Sequence, residues 1–439
     1  GIDLSFSGLH TTSMRNNIPG NPLFTLTFMP PDVDLRSPNS DGTPYILQAD
    51  PQNNEANPLY QINNLTNYSK TKRTMGNVLV RYKPLDFFNL EANLSYDRRD
   101  VNSSAITPKG YKTLNPVGVS TGSRSFTNSG DQSINGSILA SFDQNFGDLS
   151  ARAKFSYQIL DQSGRSEGES GQNFAVNVLQ TLSLTTTNWS VSSSETRVKG
   201  ESYFFITGLD YAGKYMVDAV LRNDGSSLFG PNQRRQWYYR VSGAYRIAQE
   251  SWWPLADVVT DLKLRYSLGT AGALPGFSYQ YETWSVSSGA ISKGQLGNKD
   301  LRPEFSKEQE FGIEISFLNR FLLEFTYAPT VTKDQVISVP LLSYYGFSSQ
   351  YQNAGTLESK SYELSLKGSA FQSGNMSLSF QFSADKFSQQ ITEYNRPPIR
   401  TGGTQNTNPF YLRSGEILGS IYGVKWMKSR DELPDQVKP

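Results

Sequence analysis

Residues Glu201 to Arg246 read ESYFFITGLDYAGKYMVDAVLRNDGSSLFGPNQRRQWYYRVSGAYR. In an extended strand, successive side chains point to opposite faces. Tyr203, Phe205, Thr207, Leu209 and Tyr211 therefore share one face, and Gly208 and Asp210 lie on the other. Ala212-Gly213 supplies a tight turn, because glycine adopts positive φ without strain. The return arm sets Tyr215, Val217, Ala219 and Leu221 against Asp218 and Arg222, and Asn223-Asp224-Gly225 is expected to break it. A third arm sets Trp237, Tyr239, Val241 and Tyr245 against Arg240, Ser242 and Arg246. The stretch specifies long antiparallel strands with one apolar and one polar face.

The same design recurs outward in both directions. Val78, Val80 and Tyr82 oppose Asn77 and Arg81; after Pro84-Leu85-Asp86, Phe88, Leu90, Ala92, Leu94 and Tyr96 oppose Asn89, Glu91, Asn93, Ser95 and Asp97. Further hairpins begin at Ile134, Phe311 and Tyr362, and a strand covers Leu262 to Leu268. Residues 76–387 are thus expected to hold about twelve strands of about 9 to 13 residues, the length that crosses a bilayer when tilted. Residues 1–75 are expected to be an irregular, loop-rich opening segment, and 388–439 a loop and the start of a further strand. Arg98 to Gln132 and Asp161 to Gly200 are expected to be long loops, with a short strand inside Phe174 to Leu184.

Short links alternate with longer ones, so all the long links fall at one end of the strands. A soluble β-sandwich also alternates its faces, but its strands average about 5 to 6 residues, and repeated long structureless loops argue against a compact soluble domain. Short turns at one end, long loops at the other and an uncharged outer face are the pattern of a transmembrane β-barrel. Phe87, Tyr96, Tyr157, Tyr211, Tyr215, Trp237 and Tyr327 stand at strand ends, where interfacial aromatic girdles belong.

Composition narrows the function classes. The 439 residues include no cysteine and one histidine, His10, which leaves no thiolate or polyhistidine metal site and argues against a Ser-His-Asp triad. A formal net charge of +1 gives no field that favours nucleic acid. No run of about 18 apolar residues is present to form a membrane helix, and the first residues lack the order of a signal peptide. No cofactor is indicated.

Several segments resemble the SusC/RagA-type TonB-dependent transporters of the bacterial outer membrane. They are NPLY (57–60), the strand and turn at 76–86, LRNDGSSLFG (221–230), DLKLRYSLGT (261–270), LGNKDLRPE (296–304), GFSS (346–349), NAGTLESK (353–360) and GSIYG (419–423). Their order and spacing match over nearly the whole chain. The resemblance implies an all-β fold, a transmembrane antiparallel β-barrel of roughly 22 strands closed by a plug. It implies import of oligosaccharides or peptides, a SusD-like surface lipoprotein as partner, and coupling to the TonB-ExbB-ExbD system through the plug. About twelve to fourteen strands, no plug and no TonB box are found, so the chain is expected to be part of a larger barrel set in outer-membrane lipid. A passive porin-like or structural barrel, or a secreted β-rich glycan-binding module or glycosidase, are the alternatives.

Candidate chemistry is sparse. Glu310, Glu314 and Glu363 fall at strand spacing and are expected to line a wet interior rather than form a glycosidase pair. Asn223-Asp224-Gly225 lacks the further ligands of a calcium loop and is expected to be a turn. Trp252-Trp253-Pro254 is expected to be an interfacial anchor. Trp284, Tyr344, Tyr345 and Tyr351, in the long loops, are the candidates for contact with substrate or lid protein. Lys299, Asp300, Arg302 and Glu304 are expected to fix a loop onto the rim.

Overall fold

The computed structural model describes residues 1–16, 22–287, 289–402, 409–423 and 426–429. Thirteen strands form one sheet in which each lies beside its predecessor. They are β1 (Ile2–Asn16), β2 (Thr66–Leu85), β3 (Phe88–Thr107), β4 (Ser123–Phe146), β5 (Leu149–Phe174), β6 (Thr185–Tyr211) and β7 (Tyr215–Ser226). Then follow β8 (Arg235–Arg246), β9 (Val259–Ala273), β10 (Glu304–Phe317), β11 (Phe321–Lys333), β12 (Gly355–Ser373) and β13 (Met376–Tyr394). The chain divides into two compact units, Gly1–Tyr82 with Glu91–Ile138 and Gln158–Lys199, and Lys83–Leu90 with Leu139–Tyr157 and Gly200–Pro439.

The first unit corrects the expected irregular opening at both ends. Residues 2–16 are a strand paired with β2 from Ile2↔Tyr82 to Asn16↔Tyr68, and β2 itself starts at Thr66. Ile2, Leu4 and Phe6 face the side of Tyr82, Val80 and Val78, and Asp3, Ser5 and Ser7 face the other. Only three apolar positions alternate before Gly8, too few to stand out, and the ladder to β2 carries the rest. Between these strands, Asn57 caps the helix Pro58–Asn64 by accepting from the Leu59 amide at 3.0 Å.

The two expected long loops are also corrected. β4, β5 and β6 run for 24, 26 and 27 residues, so most of 98–132 and 161–200 is ladder, capped by a small hairpin at Lys112–Leu114 and Val117–Val119. Residues 175–184 hold a 3-10 turn at Leu182–Leu184, and no strand lies inside them. Both faces of these arms are polar, so the apolar alternation that marks a strand vanishes although the backbone bonds continue. Phe174 is fully buried, and the Lys109 ammonium donates to its carbonyl at 2.7 Å.

In the second unit the hairpin turns are tight. Ala212 and Gly213 have φ of 54° and 68°, the two positive values of a type I′ turn, and the Lys214 amide donates to the Tyr211 carbonyl at 3.0 Å. The strand is not broken at Asn223-Asp224-Gly225: β7 continues to Ser226, with Asn223 opposite both Tyr203 and Trp237. Arg235 donates to the Asn223 side-chain oxygen at 3.0 Å, a tertiary bond that overrides local turn preference.

Burial in this unit is inverted relative to a water-soluble domain. Phe205, Leu209, Val217, Val241 and Phe311 on the apolar face are each between 45% and 51% exposed. The buried side chains lie instead near the loops: Leu228, Phe229, Leu301 and Ala354, with Val339, Ile391 and Tyr394. An apolar surface of this extent needs an apolar solvent. Two aromatic rows bound it. One contains Tyr157 packed against Tyr203 at 5.0 Å, in register with Trp237, and a run Tyr266, Phe311, Tyr327, Tyr362 crosses the face from β9 to β12. The other contains Phe88 on Phe142 at 4.6 Å and Tyr215 on Tyr245 at 4.8 Å. Tyr203 and Tyr211 stand in the two rows of β6, about 27 Å apart along the strand and about 20 Å in depth after the usual tilt. No helix among the described residues is long and apolar enough to cross a membrane.

Candidate functional site: a polar wall and a loop platform

The polar face of the second unit is a ladder of ion pairs. Asp218 accepts from Arg240 and Ser242, Arg246 meets Asp261 at 3.0 Å, Lys263 meets Glu314 at 3.2 Å, and Lys367 meets Glu324 at 3.1 Å. Arg265 pairs with Glu310 and lies 3.2 Å from Glu314. Glu310 and Glu314 therefore share one guanidinium, and Glu363 accepts from the Ser361 hydroxyl at 3.5 Å. Charges held against partners across neighbouring strands suit a water-lined wall, where they need no desolvation.

Above the ladder, two loops of this unit fold on each other. Gln295–Leu296 pairs in parallel with Ser349–Gln350, and Ser349–Asn353 pairs antiparallel with Val336–Pro340. Local reading of either loop could not show the parallel pairing, because its partners are 54 positions apart. The motif residues are the clamps. The Asn298 amide donates to the Tyr351 carbonyl at 2.9 Å, and the Arg302 guanidinium meets Asp334 at 2.6 Å. Asn353 accepts from the Arg302 amide at 3.0 Å and donates to the Arg302 and Asp334 carbonyls at 2.8 Å. The Glu304 carboxylate takes the Val336 amide at 2.8 Å. Gly230 lies against Lys299, and Gln280 donates to the carbonyls of Ser227 and Leu228 at 2.8 and 3.0 Å.

Of the four loop aromatics, Trp284, Tyr344 and Tyr345 are 53%, 89% and 51% exposed. Trp284 begins the hairpin strand Trp284–Ser287 and meets Phe347 edge-on at 6.0 Å, with the Lys293 ammonium over both rings. Tyr344 and Tyr345 occupy a 3-10 turn, 5.2 Å apart. Tyr351 differs: it is half-buried and stacks on Tyr279 at 3.4 Å and 11°. Hydrogen bonding to Tyr351, with burial, pushes the Tyr279 phenol up to about 12. At the opposite, turn end, Trp252 is 62% exposed while Trp253 donates to the Val259 carbonyl at 3.1 Å. No group of three metal-ligating side chains is present among the described residues.

The first unit holds a feature absent from the sequence reading. On its polar face, β2 to β6 together line a cavity of about 410 Å³, within the usual range for ligand sites. Arg73 grips Asp97 with two bonds, at 3.0 and 2.7 Å. Arg99 and Asp131 approach only to 3.9 Å and stay 54% and 66% exposed. Gln162, Gly164 and Thr196 form the rest of the floor. A Cβ on Gly164 would lie 3.1 Å from the Thr196 hydroxyl and 3.4 Å from Asp131, so the glycine keeps the floor low. The signal was in the sequence: Asp131, Gly164 and Thr196 continue the polar parity of their strands, into stretches that looked like loop.

Comparison with known proteins places these features. The family model "TonB dependent receptor-like, beta-barrel" matches residues 10–429. TonB-dependent receptor P3 of Formosa agariphila is 29% identical over 65% of this chain and 30% of its own length. TonB-dependent receptor SusC of Bacteroides thetaiotaomicron is 23% identical over 49% of this chain and 22% of its own length. The chain thus spans less than a third of the curated relatives it matches. A solved structure described as the RagAB peptide transporter superposes with a TM-score of 0.72, at 24% identity, over 82% of this chain and 41% of that one.

Proposed function

Since the chain belongs to the TonB dependent receptor-like β-barrel family of outer-membrane proteins, we propose that it forms wall and loop platform of a SusC/RagA-type importer of oligosaccharides or peptides. A SusD-like lipoprotein would cover the loops, and energy would reach the barrel through TonB-ExbB-ExbD acting on a plug elsewhere in the protein. The observation that carries the reading is the sheet's two-sidedness. An uncharged face with Val217, Val241 and Phe311 half exposed backs a face of paired charges, as a lipid-embedded, water-filled conduit requires. The clamped platform gives that conduit a fixed mouth, and Trp284, Tyr344 and Tyr345 are the side chains placed to meet cargo or lid. On this reading the carboxylates serve the wall and the protein is not an enzyme.

The test is to express the full-length protein in an outer membrane with a matched TonB system and follow uptake of labelled peptides and oligosaccharides. Uptake that stops when TonB is deleted supports the importer. Uptake indifferent to TonB would favour the passive porin.

A further inference from the structure

We propose that the trough on the polar face of the first unit is a contact site for an extended peptide, a ligand assignment that rests on the importer reading. Three observations select that ligand. The floor is carpeted with small hydroxyl and amide groups around Gly164, and a glycine inside a strand marks a place where another backbone approaches closely. A bare peptide backbone, with its alternating donors and acceptors, can lie on such a floor.

The charges around it cancel in adjacent pairs. Arg73 is committed to Asp97, whereas Arg99 and Asp131 stand 3.9 Å apart and remain half exposed. The loose pair offers five N–H donors and four acceptor sites beside one another. It can take an acidic and a basic side chain of the same peptide at once, the carboxylate at Arg99 and the ammonium at Asp131, and it has no net preference for a polyanion or a polycation.

None of the residues lining the trough is aromatic. A sugar ring presents an apolar C–H face that binds most tightly against a flat ring, and this floor provides none. Peptide amides need no such surface. The trough therefore favours peptides over neutral oligosaccharides by its chemistry.

The experiment uses the purified full-length protein in detergent, with a tryptic digest of casein and maltoheptaose as probes, and mass spectrometry of what is retained. Arg99→Ala and Gly164→Leu are compared with the unaltered protein, and heat-modifiable migration verifies that each barrel is assembled. The expected result is peptide retention in the parent, little retention of maltoheptaose, and about tenfold less peptide in Arg99→Ala, the loss of a charge-assisted hydrogen bond. Gly164→Leu should lose retention to a similar degree by raising the floor. Undiminished retention in Arg99→Ala overturns the proposal, as does retention of maltoheptaose in place of peptide. TonB-dependent uptake separates the two levels. Peptide uptake that is unaltered in both variants leaves the importer intact and removes the trough from it, while absence of any TonB-dependent uptake in the parent removes both.

Discussion

A Cβ added to Gly230 would lie 1.8 Å from the carbonyl oxygen of Lys299 and 2.6 Å from its carbonyl carbon. Two of the sequence's most distinctive motifs, LFG at 228–230 and GNKD at 297–300, are thus in backbone contact across a gap of 69 positions. Neither backbone can retreat without unseating Leu228, Phe229 or Leu301, all at or below 9% exposure. Gly230→Ala should displace the 297–303 segment and cost about 1 to 3 kcal/mol, the range for overpacking. Limited proteolysis of the full-length protein in detergent reads this out. Faster cleavage at Lys299 is expected, and an unchanged pattern would mean the contact is not tight.

Val241 lies midway between Trp237 and Tyr245 on the apolar face of β8 and is 48% exposed. Val241→Arg should cost about 2 to 4 kcal/mol if that face meets the bilayer midplane. Ser383→Arg, on the polar face of β13, should assemble normally. Outer-membrane yield and heat-modifiable migration compare them, and equal tolerance of both would contradict the facing assignment.

Tyr351→Phe keeps the ring that stacks on Tyr279 and removes the hydroxyl that raises the Tyr279 phenol to about 12. In the variant Tyr279 should ionise at lower pH, back toward the ordinary tyrosine value of about 10. A difference titration by ultraviolet absorbance, parent minus variant, should show one phenol gained between those values beyond the loss of Tyr351 itself. Superimposable titrations of the remaining tyrosines would show that the pair does not interact.

Glu250, in the turn between β8 and β9, accepts from Tyr215 at 2.6 Å and from Lys214 at 3.0 Å, and these bonds hold its carboxyl below the ordinary 4.5. A depressed carboxylate contributes stability that is present above its unfolded value and lost as pH falls through its folded value. Urea resistance of the full-length protein should therefore decline with acid below the ordinary glutamate range, and Glu250→Gln should flatten that part of the profile. A profile with the same slope in both proteins would assign the acid sensitivity elsewhere.

How far the sequence could be read follows from where its two faces differ. β3, with Phe88 to Tyr96 against Asn89 to Asp97, was legible because lipid on one side and water on the other impose a strict alternation. The outer halves of β4, β5 and β6 were not, since water on both sides leaves serine and glycine at every parity. Of Lys299, Asp300, Arg302 and Glu304, which were expected to fix a loop, Arg302 binds Asp334, Glu304 takes the Val336 amide, and the Lys299 backbone abuts Gly230. Tyr351 stood among the contact candidates because the partner that half-buries it, Tyr279, lies 72 positions away. The trough escaped for the same reason as the strands that build it: Arg73, Asp97 and Asp131 come from three different strands and one register.

The most direct test is a cysteine scan of β6 in the full-length protein, made convenient by the absence of cysteine from these 439 residues. Positions 203 to 211 are replaced one at a time and challenged, in outer membranes, with a membrane-impermeant maleimide. Labelling at Phe204, Ile206, Gly208 and Asp210, with protection at Phe205, Thr207 and Leu209, is the predicted period-two pattern of a barrel wall between water and lipid. Uniform labelling along the strand would contradict the account, because a sheet with water on both faces cannot be that wall.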